Sequence, residues 1–470
     1  MEKDNVVVAI ELGSSKISGA AASRNQEGGM EILAYATLPS SAFIRQGSVY
    51  NLDRTAEGLA MLVELLERQL GSKKIIQVFT GYSGKSLRSA PVVVERDLAE
   101  GEVVTSTLID GMLAECGETP SGNMLSLSVV SQEFTTDGKT SVETDPVGVA
   151  CSHLTGRFQR ILIRPRLFKL LDDCFKHASL DLADSFVQPL SLANLVLTAD
   201  ERQRGCCLLD YGADTTTVQV YKGGQMCFLR VIPLGSDTIT RDIMNVFRIS
   251  HDEAEMLKKT YGLFGLSGSN EESVEVAGNK ISLKLLGEVV AARNEEIMAN
   301  VIHQLKSSDY YNSLFGGLVI TGGGSNLKKL QVALSSIFAG INPVRIAHDI
   351  PSDFKWCDPD ADVTDGTRLG LLALLSQSTD NCCISLPEKD MYSEPDPVKE
   401  ATMVMGSLFD ENGESMQDTI DRKEKERLKE EQEKIEAAKE AAKNEVKKKK
   451  KTSLIHGIRE SFHKFFEDVQ

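Results

Sequence analysis

Val6-Val-Val-Ala-Ile-Glu-Leu-Gly-Ser-Ser-Lys-Ile-Ser-Gly-Ala-Ala21 is an apolar strand that runs into a small Gly-Ser-Ser-Lys turn and then resumes as a second strand. Much further along, Cys206-Cys-Leu-Leu-Asp-Tyr-Gly-Ala-Asp-Thr-Thr-Thr-Val-Gln-Val-Tyr221 repeats the design. A strand again ends in an acid and a glycine, a hydroxyl-rich turn follows, and a β-branched strand returns. Such a turn offers backbone N–H groups and hydroxyls to phosphate oxygens, and the strand-end carboxylate can hold a hydrated Mg²⁺. Either copy alone is an ordinary hairpin. Together they predict a duplicated α/β domain with phosphate clamped between the halves, contacted by Gly13, Ser14, Ser15 and Lys16 on one side and by Asp210, Gly212, Asp214, Thr215 and Thr216 on the other. Glu11 and Asp210 are the metal-side carboxylates, acting on Mg²⁺ through water.

A third segment completes the pattern. Gly317-Leu-Val-Ile-Thr-Gly-Gly-Gly-Ser-Asn-Leu-Lys-Lys-Leu330 reads as a buried strand, a triple-glycine turn and a helix start, with Ser325 or Asn326 as N-cap. Gly322, Gly323 and Gly324 let backbone approach a flat or anionic ligand closely. The helix N-terminus beyond them favours phosphate. A Rossmann G-x-G-x-x-G with its downstream acid is not present.

Composition narrows the classes. The 470 residues predict several domains; 41% are hydrophobic and 26% charged, as in folded globular chains. A net charge of -16 argues against a nucleic-acid binder, whose phosphate contacts need a basic surface. No apolar run is long enough to span a bilayer, and no signal-peptide core follows Met1. The nine cysteines include two adjacent pairs and no C-x-x-C, so they are expected as reduced thiols of a cytoplasmic protein. No H-E-x-x-H and no G-x-S-x-G occurs. Phe315 and Phe338, flanking the glycine turn, are expected in the core.

Charge is uneven along the chain. After residue 378 comes an acidic stretch with prolines, then a mixed-charge run ending in Lys447–Lys451. Residues 379–452 hold too few large apolar side chains to form a core and read as a charged linker, disordered or helical over 421–446. The terminal segment 453–470 is different. On a helix, Leu454, Ile455, Ile458, Phe462, Phe465, Phe466 and Val469 fall within an arc of about 120°, clear of every charged residue. Placed behind five lysines, this is the pattern of an interfacial helix on anionic lipid.

The three turns, in this order, resemble the phosphate-1, phosphate-2 and adenosine motifs of the actin/Hsp70/sugar-kinase superfamily. Within it, Gln188-Pro-Leu-Ser-Leu-Ala-Asn-Leu-Val-Leu-Thr-Ala-Asp-Glu-Arg202 and Val231-Ile-Pro-Leu-Gly-Ser-Asp-Thr-Ile-Thr-Arg-Asp-Ile243 are similar to the FtsA cell-division family, as is His251-Asp-Glu-Ala-Glu-Met-Leu-Lys-Lys259. The resemblance implies an α/β, actin-like two-domain ATPase fold. Its subdomains would be 1A (5–82 and 164–202), an inserted 1C (83–163), 2A (203–238 and 314–378) and 2B (239–313). It adds Gly235 and, on a helix facing adenine and ribose, Arg293 and Glu296 as ATP contacts.

The resemblance also implies a role. The family polymerises, receives the C-terminal peptide of FtsZ on 2B, anchors the FtsZ ring to the cytoplasmic face of the inner membrane at the midcell septum, and recruits later division proteins. This chain departs from the family at Glu11, where Asp is usual, and at Ala213, Asp214 and Thr217, where Gly, Gly and Asp are usual. ATP binding with slow or negligible hydrolysis is therefore expected. The alternatives are another actin-like membrane adaptor of the pilus-assembly type, or a small-molecule kinase on the same fold.

Overall fold

The computed structural model describes residues 5–385, except 26–27, 100, 120, 139–141, 144, 265–271, 277 and 358–363. The charged linker expected at 379–452 starts later than read, because Cys383–Ser385 pairs antiparallel with Lys73–Ile75 and Cys382 is buried; its remainder beyond 385 and the terminal amphipathic segment lie outside the described residues.

Chain order first builds one sheet. Strand β1 (Val6–Leu12) pairs antiparallel with β2 (Lys16–Arg24) in the register Leu12↔Ile17 to Val6↔Ser23, and β2 pairs antiparallel with β3 (Met30–Pro39). Val6 to Ile10 are fully buried, as an unbroken apolar run requires when both faces of a sheet are covered. Helix α1 (Leu52–Leu70) is capped by the Asn51 side chain accepting from Arg54 N–H, and it buries Leu59, Leu62 and Leu66 against this sheet. Strand β4 (Gln77–Tyr82) then lies parallel to β1.

The segment that follows has its own small core. Strands β5 (Arg88–Asp97), β6 (Leu125–Thr136), β7 (Val142–Glu143) and β8 (His153–Ile163) are antiparallel, with helix α2 (Ser106–Glu118) on one face. Met112, Cys116, Phe134 and Phe158 fill the space between. The chain returns through α3 (Pro165–His177) to β9 (Asp181–Val187), parallel to β4, and then to α4 (Gln188–Val196) and α5 (Ala199–Arg204). The chain breaks between these two helices at Leu197–Thr198, and Thr198 and Glu201 form a capping box that starts the second.

The duplicate comes next. Strands β10 (Cys206–Tyr211), β11 (Thr216–Lys222) and β12 (Gln225–Ile232) form an antiparallel run. Helices α6 (Ser236–Phe247), α7 (His251–Tyr261) and α8 (Leu283–Ser307) pack together, and β13 (Gly317–Thr321) inserts parallel to β10. Helix α9 (Leu330–Ile337) and β14 (Val344–Ile346), parallel to β13, follow. Strand β15 (Phe354–Trp356) rejoins the first sheet beside β3, and α10 (Leu369–Gln377) packs on α4 and β1.

The sheet orders make the repeat explicit: β9-β4-β1-β2-β3-β15 in one, and β7-β6-β8-β5-β12-β11-β10-β13-β14 in the other. In each, two parallel strands precede a hairpin and a third antiparallel strand. The inserted strands join the second sheet through one register pair, Arg230↔Arg88. One expectation needs correction. Phe338 is fully buried, but Phe315 is 66% exposed, because it sits in the loop before β13 and not on the strand.

Phe158 anchors the inserted segment: its ring meets Phe134 edge-on at 5.6 Å, and Gly156 leaves the room it occupies. Phe158→Ala is expected to cost about 3–5 kcal/mol, read as earlier denaturant unfolding of this segment.

Candidate functional site

Strand ends from both sheets meet at one cleft. Its cavity has a volume of about 790 Å³, within the range of small-ligand sites. Glu11, Gly13, Ser14, Ser15 and Lys16 line it from the first hairpin, Asp210, Gly212, Ala213, Thr215 and Thr217 from the second, and Gly322, Gly323 and Gly324 from the third turn. The three segments singled out in the sequence therefore converge.

The two hairpin turns present unused donors. Among the described residues, the backbone N–H groups of Ser14, Ser15, Ala213 and Asp214 have no protein acceptor, whereas Gly212 N–H closes its own turn onto Thr215 O at 2.9 Å. The third turn is shaped by what lies under it. Gly322 has φ 85°, and a Cβ there would stand 2.6 Å from Asp210 Oδ1. At Gly324 a Cβ would strike the Tyr211 ring at 2.7 Å. At Gly323 there is room for a side chain: the nearest atom to a Cβ would be Thr367 Cγ2 at 3.5 Å, an ordinary contact. The helix does not start here as expected. Residues Gly323–Asn326 form a 3₁₀ turn and α9 begins at Leu330, so neither Ser325 nor Asn326 is its N-cap. The Ser325 hydroxyl instead turns back onto Gly322 O.

Two buried carboxyls stand at the meeting of the two hairpins. Burial pushes the Glu11 carboxyl up to about 7, with the Asp210 charge adding to the rise and Lys16 opposing it. Burial pushes Asp210 up to about 6. The extra methylene of Glu11 is accommodated by Gly370 on α10, where a Cβ would lie 2.2 Å from Glu11 Oε1. The Gln188 amide donates to the same oxygen. Lys16, its pKa lowered by burial, donates to Thr367 Oγ1 at 3.3 Å.

These features fit a nucleotide with its cation. There are two convergent carboxylates, a lysine, four unengaged turn N–H groups, and two buried unpartnered oxygens on the lining, Gln188 Oε1 and Thr321 Oγ1. Among the described residues no cluster of three or more metal-ligating side chains occurs, so any cation here would complete its shell with water and ligand oxygens.

Five expected contacts do not line the cavity. Asp214 turns away, accepting from Gln46 N–H and Arg241 at 3.0 Å each. Thr216 is buried and donates to Leu234 O. Gly235 lies beneath the second turn, where a Cβ would meet Ala213 O at 2.3 Å; α6 starts there by donating Ser236 N–H to Gly212 O and Asp237 N–H to Ala213 O. Arg293 is held in a bidentate ion pair with Asp242 of α6 and a second pair with Glu296. Among the described residues, none of α8 lines the cavity; Asn294, one position along and buried, accepts from Tyr211 OH at 2.8 Å and so fixes the ring under Gly324.

Sequence reading missed a second group. Ser236, Asp237, His251, Glu255, Lys258 and Lys259 line the cavity from α6 and α7. Lys258 Nζ is bonded to Ser236 O at 3.0 Å, Thr240 Oγ1 at 2.8 Å and Glu255 Oε2 at 2.7 Å, and burial lowers its pKa. The Glu255/Lys258 spacing on a capped helix was the available signal. Asp365, Gly366 and Thr367, just before α10, were also missed.

A carboxyl held above its unfolded value keeps its proton longer in the folded chain, so its contribution to stability is lost as pH rises through the folded pKa. That contribution is full below the ordinary values, 4.5 for Glu11 and 3.8 for Asp210, and is lost as pH rises from there through about 7 and about 6. Lowering the pH of the ligand-free protein from about 8 to about 6 is expected to raise unfolding free energy by about 1 kcal/mol through Glu11. Glu11→Gln should flatten that trend in denaturant titrations.

A family model described as Cell division protein FtsA matches residues 207–359. The chain is 28% identical over 359 residues to the cell division protein FtsA of Porphyromonas gingivalis, covering 74% of each chain. It is 26% identical to that of Pseudomonas aeruginosa, covering 84% of this chain and 95% of the other. Among solved structures, a chain of a PilM-PilN type IV pilus biogenesis complex superposes with a TM-score of 0.55 at 18% identity, covering 78% of this chain and 97% of that one, which is a likeness of fold. The resemblance read from the three turns holds: this is an actin-like chain related to the bacterial cell-division protein FtsA.

Proposed function

We propose that this chain binds ATP with Mg²⁺ in the cleft and serves cell division as a membrane-anchored, self-assembling scaffold for the FtsZ ring. The observation that carries the nucleotide half is the convergence of three turns on Glu11 and Asp210. Bound Mg²⁺ would supply charge compensation between these carboxylates and the phosphates. Ser14, Ser15, Ala213 and Asp214 offer backbone N–H groups to phosphate, and Lys16 adds positive charge at the same end. The open face of Gly323 suits the approach of the adenosine.

Turnover is expected to be slow or negligible. Gln188 is a neutral amide already spent on Glu11, and Thr217 has no carboxylate with which to polarise water. Gly323→Val places a branched side chain into the cleft with its Cβ in no more than ordinary contact with Thr367 Cγ2. It should leave thermal stability unchanged and weaken ATP by more than about tenfold, about 1.4 kcal/mol, in a fluorescent-ATP titration. Unchanged affinity would remove that turn from the site.

The division half rests on kinship with proteins named for cell division and on the terminal pattern of 453–470. In our reading the subdomains follow the boundaries given above, 2B takes the FtsZ peptide, self-association builds filaments, later division proteins join, and the terminal helix rests on anionic inner-membrane lipid. A fluorescent fusion of the full chain should form midcell rings. Phe462→Asp with Phe465→Asp should disperse them and abolish sedimentation with anionic liposomes, while ATP still binds. Pelleting of the double variant would place the membrane contact elsewhere. Polar or diffuse signal from the unaltered chain would favour a pilus-type adaptor.

A further inference from the structure

Asp214 is an acid at a turn facing the candidate phosphate end, yet it lines none of the cavity that Ala213 and Thr215 line. Its carboxylate is 11% exposed and both oxygens are engaged. Oδ2 accepts from Gln46 N–H at 3.0 Å, and Oδ1 accepts from Arg241 at 3.0 Å. Gln46 belongs to the other half of the molecule. It forms, with Gly47, the tip of a hairpin joining Ile44–Arg45 to Ser48–Val49, placed between β3 and α1. Both tip residues have positive φ, 51° and 67°. A long side chain at φ 51° is uncommon, so the surroundings must hold it there.

They do, from three sides. Gly47 N–H donates to Ser14 Oγ in the first turn at 2.8 Å, Lys85 N–H donates to Gln46 O at 3.1 Å, and Asp214 grips the Gln46 N–H from the second turn. One hairpin tip is therefore tied to both turns of the cleft. The tie to the second turn is charge-assisted and partly shielded from solvent, which makes it one of the stronger kinds of hydrogen bond.

We infer that Asp214 is a positioning residue that latches the two halves together at the phosphate end and slows passage of nucleotide in both directions. The inference rests on the nucleotide reading of the cleft. Opening this end requires the Asp214–Gln46 bond to break, so ligand enters and leaves through a minor open population. A side chain that held phosphate would act on release; a latch alters entry as well, and Asp214→Ala removes only the carboxylate while keeping the backbone N–H that the second turn offers.

The test uses the full chain, with stopped-flow mixing of a fluorescent ATP analogue and deuterium exchange of the ligand-free protein. Asp214→Ala should raise both association and dissociation rates about tenfold, with little change in Kd. The peptide containing Gln46 should exchange faster in that variant. Asp214→Asn keeps an acceptor for Gln46 N–H and should restore slow rates and protection, a rescue that general loosening of the fold would not show. An unchanged association rate in Asp214→Ala, or equal exchange at Gln46 with and without the carboxylate, would overturn the latch. Failure of the unaltered chain to bind the analogue would overturn the nucleotide reading instead, and exchange at Gln46 would still decide the tie.

Discussion

Two buried carboxyls near the ends of like-placed strands in a shared cleft set the terms for their surroundings. Burial raises the cost of ionising both Glu11 and Asp210, and the Asp210 charge adds to it at Glu11. The neighbouring structure accommodates them in detail. Gly370 and Gly322 leave room where a Cβ would collide with one carboxylate or the other. Gln188 gives an amide donor and Lys16 a cation on the same floor. Holding two acids together without their cation is an unfavourable ground state that a bound cation would relieve. Such a site is poised for a ligand that brings positive charge with it.

The duplicated sheets explain why these acids meet. Each half carries two parallel strands, then a hairpin whose first strand ends in the acid. The equivalent strands β1 and β10 thus bring equivalent strand ends to the cleft. Departures from the family pattern are absorbed locally. The longer Glu11 is met by Gly370, and the additional acid Asp214 is rotated outward onto Arg241 and a backbone N–H, where it no longer faces the phosphate end.

Much of this was legible in the sequence, for identifiable reasons. The hairpins at 6–21 and 206–221 are set by local apolar runs and turn residues, so their strands and turns emerge nearly as read. The glycine turn at 322–324 was legible as a close approach. What lies beneath it was not, because Tyr211 and Asn294 meet only through the tertiary fold. Arg293 and Glu296 were read onto the cleft from α8, whereas α6 and α7 line it and Arg293 is taken up by Asp242 of α6; which helix faces the cavity is set by tertiary packing and has no local signature. Lys258 and Glu255 sat inside a quoted motif but gained meaning only when α7 was seen to line the cavity. The Gln46–Asp214 tie spans 168 residues and has no local signature at all.

The central claim is that the paired carboxylates hold nucleotide through a cation. Isothermal titration of ATP into the full chain, with and without Mg²⁺, tests it directly when repeated on Glu11→Gln combined with Asp210→Asn. We predict one site on the unaltered chain whose affinity rises with Mg²⁺, and loss of that Mg²⁺ dependence in the double variant. No binding heat in the unaltered chain, or affinity indifferent to Mg²⁺ and to both substitutions, would contradict it.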